Sequence, residues 1–167
     1  MIESKRLIIR PYNIDDVKLA FDLFHDKDVM AFIPYGADKS IEDTQIRIDK
    51  YISHYHTFGF GKYVLIEKSN NELIGDCGIS TIENTGINEL GYRIKKSFWN
   101  QGYATEAAKA VINYAFTTLK FKTLHAIVEK GNKKSIHILV DKLGFKHENA
   151  IYCYGIDFDL YRFGQKL

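Results

Sequence analysis

The chain has only two cysteines, Cys77 and Cys153, and no apolar h-region at its start. A disulfide framework is therefore not expected, and the reading is a reducing, cytoplasmic setting. No apolar run approaches the roughly 18 residues needed to span a membrane, which removes a membrane partner from the expectation. Excess charge of one sign is missing too: 23 basic residues face 21 acidic ones for a formal charge of +2, without strong segregation. A phosphate-backbone binder would need such an excess, so no nucleic-acid partner is expected, and the run "KGNKKS" (130–135) reads as a solvated helix start. Neither a Walker-type "GK[ST]" nor a GxGxxG fingerprint occurs, which excludes the commonest nucleotide and dinucleotide loops. Prolines number two, and there is no internal repeat or low-complexity segment.

What is present is apolar and aromatic. Hydrophobic residues make up 46% of the 167, including eleven Tyr and eleven Phe. That is enough for a substantial core, and one domain over 1–167 is expected. "RLIIR" (6–10), closed by Pro11, suits an edge strand because proline lacks the ladder donor. In "IDDVKLAFDLFHD", Ile14, Val17, Leu19, Ala20, Leu23 and Phe24 recur at helical spacing behind a capping Asn13. Ser40 opens a second helix through the capping-box-like "SIED", running to about His56 with Ile41, Ile46, Ile48, Tyr51, Ile52 and Tyr55 inward.

Three strands then form an antiparallel meander over 61–68, 73–81 and 87–95. A helix follows with an apolar face of Ala104, Ala107, Ala108, Val111, Ile112, Ala115 and Phe116. "TLHAIVEK" (123–130) is a buried strand, "NKKSIHILVDKL" (132–143) a helix stopped by Gly144, and two strands around a turn near Gly155 complete the chain. The order β α α β β β α β α β β defines an α/β (α+β) fold, a mixed sheet of about seven strands flanked by about four helices. Its central strand–helix–strand unit sets a helix N-terminus beside the carboxyl end of a strand, where open α/β sheets bind ligands.

That helix starts oddly. "SFWNQGYATEA" has no Ser, Thr or Asp immediately before Ala104, although a helix start leaves about four N–H groups unpaired and carries roughly half a positive charge. Gly102 and Ala104 project no bulk, so the N–H groups of Gln101 to Thr105 can converge on an anion such as a phosphate. The alternative is a start capped by water.

The residues in this stretch carry a resemblance. "FWNQGYATEAAKAVINYAF" resembles the acetyl-CoA pyrophosphate-binding segment of the GNAT superfamily of N-acetyltransferases, whose pattern is Q/R-x-x-G-x-G/A at a helix start. Trp99 stands where that pattern has Gln or Arg. "ESKRLIIRPYNIDD", "ELGYRIKKSFWNQGYATEA" and "NKKSIHILVDKLGF" are similar, in order, to three segments of the branch that includes the ribosomal-protein-alanine acetyltransferases, where Trp at this position is usual.

The resemblance implies a mostly antiparallel, twisted sheet whose two middle strands splay apart, with the pantetheine arm in the gap pairing with strand backbone. On that basis Tyr92, Arg93 and Ile94 would contact pantetheine, and Trp99, Gln101, Gly102, Tyr103, Ala104 and Thr105 would form the pyrophosphate loop. Asn132 would hydrogen-bond the cofactor arm, with Ser135 one turn further on; Asn132 as a plain helix cap is the competing role. The implied reaction is acetyl transfer from acetyl-CoA to a primary amine, by direct attack in a ternary complex and without a metal. Members of the family are often dimers, though no stripe in this sequence marks an interface.

Amine acetylation needs a neutral nucleophile, a polarised thioester carbonyl and a protonated leaving thiolate. Polarisation could come from an N–H of the "NELGYRI" strand, at Tyr92 or Arg93. Glu89, which matches the Glu of the branch's "E-I-G-Y" segment, is by that resemblance the candidate base, against the alternative of a surface carboxylate on an alternating strand; Glu83 and Asp76 are expected at or across a turn. Many superfamily members place an acid Tyr in the helix before "GF". Here the position is Leu139 counted from Asn132 and Val140 counted back from Gly144. The counts disagree by one residue, as a π-bulge or an early helix end would produce.

Ser135 or a water is then the proton source, with Tyr152, Tyr154 and Tyr161 available only if their strands face the cleft. Cys77 reads as a small buried hydrophobe. His54 and His56 diverge on their helix and cannot chelate from one face.

The resemblance implies an acceptor site formed by helices 1 and 2 and their loop, with Phe32, Tyr35, Tyr55, Phe58 and Phe60, beside Pro34, as aromatic walls or core, and Asp38, Glu42 or Asp43 to hold a cation. The rival functions are a catalytically weak acyl-CoA-binding sensor and a basic interaction module.

Overall fold

The computed structural model describes residues 1–164. The sheet has eight strands in the order β1-β2-β3-β4-β5-β6-β8-β7. These are β1 (Ile2–Glu3), β2 (Leu7–Pro11), β3 (Lys62–Glu67), β4 (Glu72–Thr81), β5 (Asn88–Ile94), β6 (Thr123–Val128), β7 (Lys146–Cys153) and β8 (Ile156–Gly164). Four helices, α1 (Val17–His25), α2 (Ile41–Phe58), α3 (Tyr103–Thr117) and α4 (Lys133–His137), accompany them.

The expected order holds, with one strand more than expected. The two-residue β1 pairs Ile2 with Ile9 and Glu3 with Ile8, so "RLIIR" lies inside the edge rather than on it. Every neighbouring pair is antiparallel except β5 and β6, which the α3 crossover makes parallel. The β7–β8 connection is the two-residue turn Tyr154–Gly155, both at positive φ (53° and 84°), the geometry that matches the twist of a tight hairpin.

Local chemistry sets the helix starts. Asn13 and Ser40 each form a reciprocal capping box, with Asp16 and Asp43 as the returning carboxylates. Asn13 caps a 3-10 turn over Ile14–Asp16 before α1 begins. A core on one face of the sheet gathers α1 and α2 against Val64, Ile66 and Leu73. On the other face α3 packs through Ala107, Ala108, Val111, Ile112 and Ala115 onto Leu65, Ile74 and Ile79; burying each large aliphatic side chain there contributes about 1.5–3 kcal/mol. Ile14, Leu19 and Ile46, expected inward, are more than half exposed, and Ile46 borders a cleft instead.

The helix expected over 132–143 is α for one turn and then a π segment at Ile138–Lys142. The N–H of Leu143 reaches back to Ile138 O at 3.0 Å, a five-residue step that absorbs the extra residue.

Candidate active site

Parallel strands β5 and β6 share a single bridged pair, Glu89 with His125, and then diverge. From Leu90 to Ile94, β5 is paired only with β4, so its other backbone edge is free along the gap. A cleft of about 610 Å³ opens there. Tyr92, Val128, Asn132, Ser135, Leu139, Phe32, Tyr35, Ile46, Lys50 and Tyr154 are among the residues that border it.

Past the end of β5 the chain turns through Trp99 into the start of α3. Asn100 (φ 60°) and Gly102 (φ 81°) are both left-handed. Gly102 occupies the N-cap position and has no side chain to cap with. The N–H of Glu106 bonds Gly102 O, but no carbonyl or side chain among the described residues accepts from the N–H groups of Gly102, Tyr103, Ala104 and Thr105. Unpaired donors at the positive end of a helix suit the diphosphate of a coenzyme A. The free edge of β5 suits a pantetheine amide chain, so the residues present fit the cofactor that the sequence implies.

The loop is held by Arg6. Its Nη1 donates to Gln101 O at 3.0 Å and its Nε to Glu106 Oε2 at 2.7 Å. The guanidinium lies 3.9 Å from the centre of the Tyr103 ring. Glu106 also accepts from Ser4 Oγ and the Arg6 N–H, each at 2.7 Å; these bonds hold its carboxyl below the ordinary range against the effect of burial. The Tyr103 hydroxyl bonds Glu67 on β3 at 3.3 Å, so this side chain serves the core. Gln101 Nε2 donates to Ser97 O at 3.0 Å. Trp99 Nε1 donates to Ile94 O at 2.7 Å, which ties off the last carbonyl of β5, and Lys134 lies over its ring. The side chains of Trp99, Gln101 and Tyr103 are thus engaged within the protein, and the Trp99 N–H is bonded to Lys96 O at 3.2 Å.

Arg93 is the clearest case of a side chain given a structural task. It lies on the α1/α2 face, where Nε donates to Asp76 Oδ1 at 2.8 Å, Nη2 donates to Asp76 Oδ2, and Nη2 also reaches the Tyr51 hydroxyl at 2.8 Å. Burial opposes the guanidinium charge, but Asp76 and Tyr51 outweigh it and leave Arg93 more basic than usual. Asp76, expected near a turn, stands in the middle of β4 opposite Arg93 and is fully buried.

Glu89 lines the cleft and accepts from Ser80 Oγ at 3.1 Å. Burial pushes its carboxyl above the ordinary range, with Lys62, Ser80 and Arg93 pulling the other way. Tyr92, on the opposite face of β5, puts its hydroxyl 3.0 Å from Ser135 Oγ. Burial also raises this phenol, so it stays protonated at neutral pH. The phenol that neither Leu139 nor Val140 supplies thus comes to α4 from a strand. Asn132 caps α4, its Oδ1 accepting from the Ser135 N–H at 3.1 Å.

Among the residues expected at the acceptor end, Phe32, Pro34 and Tyr35 border the cleft. Phe60 is core, Tyr55 packs edge-on against Tyr63, and Phe58 is exposed elsewhere. Of the expected cation holders, Asp38 is clamped by Arg47 and Thr44, Asp43 by its capping bonds, and Glu42 does not reach the cleft. Burial pushes the Cys77 thiol up to about 12, which makes it inert as a nucleophile. No group of metal-ligating side chains occurs among the described residues, and no described helix is long and apolar enough to cross a membrane. Sequence reasoning missed Arg6 and Lys62; the segment that carries Arg6 was singled out, but its contact to Glu106 is 100 residues distant.

A parallel splay beside a helix start with unpaired N–H groups, with a carboxylate lining the cleft, fits an acyl-CoA-dependent transferase. Residues 6–146 match the acetyltransferase (GNAT) domain family, and the chain belongs to that family. It is 32% identical over 131 residues to the uncharacterized protein YkkB of Bacillus subtilis, covering 77% of this chain and 74% of that one. Similarity to the spermidine N(1)-acetyltransferase of Escherichia coli K12 is 30% over 155 residues, covering 86% of this chain and 74% of that one. The crystal structure of a GNAT-family acetyltransferase from Bacillus anthracis superimposes with a TM-score of 0.80 at 26% identity, over 96% of this chain and 95% of that one. The chain is an N-acetyltransferase of mixed α/β GNAT fold, and the family uses acetyl-CoA as acetyl donor.

Proposed function

We propose that this protein transfers the acetyl group of acetyl-CoA to the primary amine of a small molecule or a protein N-terminus, by direct attack in a ternary complex. The observation that carries the reading is the position of Glu89: its carboxylate stands at the last bridged pair before β5 and β6 part, facing the cleft that the acceptor must enter. Acetyl-CoA supplies an activated thioester. The chain supplies everything else.

The N–H groups of Gly102 to Thr105 bind the diphosphate, the free edge of β5 over Tyr92, Arg93 and Ile94 aligns the arm, and Asn132 adds a side-chain contact. Holding donor and acceptor in line accounts for several kcal/mol of the barrier. Glu89 takes the amine proton, directly or through a water, and its raised carboxyl suits that task better than an ordinary one. The Tyr92 N–H, on the open edge of β5, polarises the carbonyl, because the Arg93 N–H shares the β4 side with that of Lys95. The Tyr92–Ser135 hydroxyl pair delivers a proton to the departing thiolate, and Ser135 is placed for it by its own N–H bond to Asn132.

The "ELGY" and "WNQGYATEA" segments favour the branch of the ribosomal-protein-alanine acetyltransferases, whereas similarity to a spermidine acetyltransferase favours a free amine. A screen of free amines and peptides with acetyl-CoA, read by product mass, decides between them. Glu89→Gln is expected to lower kcat by about 10²- to 10⁴-fold. Tight acetyl-CoA binding without turnover on any amine would instead identify an acyl-CoA sensor.

A further inference from the structure

The charges around the acceptor end of the cleft sort into those with partners and those without. Asp38 is held by Arg47 and Thr44, Asp43 by the α2 capping box, and Arg93 by Asp76. The Lys39, Lys50, Lys62, Glu83, Glu89 and Glu129 side chains also line the cleft, and none of them makes an ion pair with any described residue.

Lys62 is the unusual one. It opens β3 in register with Gly78 of β4, which in turn faces Gly91 of β5. Instead of leaving the sheet, its side chain crosses it: Nζ lies 3.4 Å from Gly78 O, and a methyl group on Gly91 would stand 2.5 Å from Nζ and 3.8 Å from Cε. Gly91 therefore leaves a passage through which an ammonium reaches the splay. Glu89 is two residues earlier on the same face of the same strand. The two opposite charges share one cleft, yet Glu89 accepts from Ser80 and Lys62 has only a long contact to a carbonyl. They face the same space without pairing across it.

We propose that this ammonium and carboxylate form a dipolar acceptor site, and that the acceptor is an amino acid whose amino group meets Glu89 while its carboxylate meets Lys62. The inference rests on the acetyltransferase reading and narrows its substrate class. Charge-assisted hydrogen bonds at both ends of a zwitterion orient the amine. A polyamine has no carboxylate to meet Lys62, so with one nitrogen at Glu89 its chain has to pass that ammonium.

The test uses matched acceptors: lysine against cadaverine, phenylalanine against phenethylamine, and spermidine alone, each with acetyl-CoA, followed by thiol release and product mass. The expected result is a higher kcat/KM for the carboxylated member of each pair. In Lys62→Met the ratio within each pair should fall about 10- to 100-fold, with Lys62→Arg retaining most of it. Gly91→Ala, which displaces the ammonium but keeps the charge, should move the ratio in the same direction as Lys62→Met. Equal or better use of the decarboxylated amines and spermidine, with ratios unmoved by Lys62→Met, would overturn the dipolar site and leave acetyl transfer standing. Absence of turnover on every acceptor would overturn the acetyltransferase reading and this inference with it.

Discussion

Replacing Asp76 by Asn tests how the buried pair beneath the cleft holds β5 in place. Asp76 is fully buried and Arg93 nearly so, with Tyr51 and Tyr12 completing the network. Asn cannot balance the guanidinium, and an uncompensated buried charge costs about 3–5 kcal/mol. At the roughly 2–4 °C per kcal/mol usual for chains of this length, Tm should fall by roughly 6–20 °C. Arg93→Met should cost a similar amount by stranding the carboxylate.

The double variant removes both charges, so it should be more stable than the sum of the single losses implies, with a coupling of about 1–3 kcal/mol. Urea denaturation of the four proteins at pH 7 measures each difference directly. Additive losses, or an Asp76→Asn cost below about 1 kcal/mol, would show that water reaches the pair and that it does not carry the strand.

Three further outcomes are expected. Glu89 must be ionised to accept a proton, and its carboxyl is raised by burial, so the acid limb of kcat/KM should lie above the ordinary carboxylate range and disappear in Glu89→Gln. Because the folded carboxyl binds its proton more tightly than the unfolded one, stability falls as pH rises from the unfolded value through the folded one; Glu89→Gln should therefore be more stable than wild type at pH 7 by denaturant melts. Gly102 has room for a Cβ but a φ of 81°, so Gly102→Val should lose about 1–2 kcal/mol from left-handed strain and raise the Kd for acetyl-CoA in calorimetry. Ser135→Ala and Tyr92→Phe each break the 3.0 Å hydroxyl pair; both should lower kcat more than the KM for acetyl-CoA, and steady-state kinetics would show the split.

The parts of the fold that local sequence controls were legible. Asn13 and Ser40 announce their helices because a capping box is complete within four residues, and the strand–α3–strand crossover follows from two periodicities in succession. The mismatch between the Asn132 and Gly144 counts allows a π-bulge or an early helix end, and only the Leu143 N–H to Ile138 O bond shows that it is a π segment. Periodicity could not separate a residue facing the core from one facing a cleft, which is why Ile46 was assigned inward. Nor could it reveal Asp76 opposite Arg93, or Lys62 passing over Gly91, because strand register sets those meetings. Tyr92 was read for its backbone; only the packing of β5 against α4 shows its phenol beside Ser135.

Arg6 gives the anion site an unusual dependence. The loop before α3 is shaped by a residue from the other end of the topology: Arg6, between β1 and β2, reaches Gln101 and Glu106. The helix-start N–H groups proposed to hold the diphosphate are thus set by a contact that spans 100 residues of chain, a non-local step in folding. Cofactor binding should consequently act as a reporter of complete assembly, since partly folded chains would lack the site. Coenzyme A at 100 times its Kd would then stabilise the whole fold against unfolding by about 2.7 kcal/mol, through mass action alone.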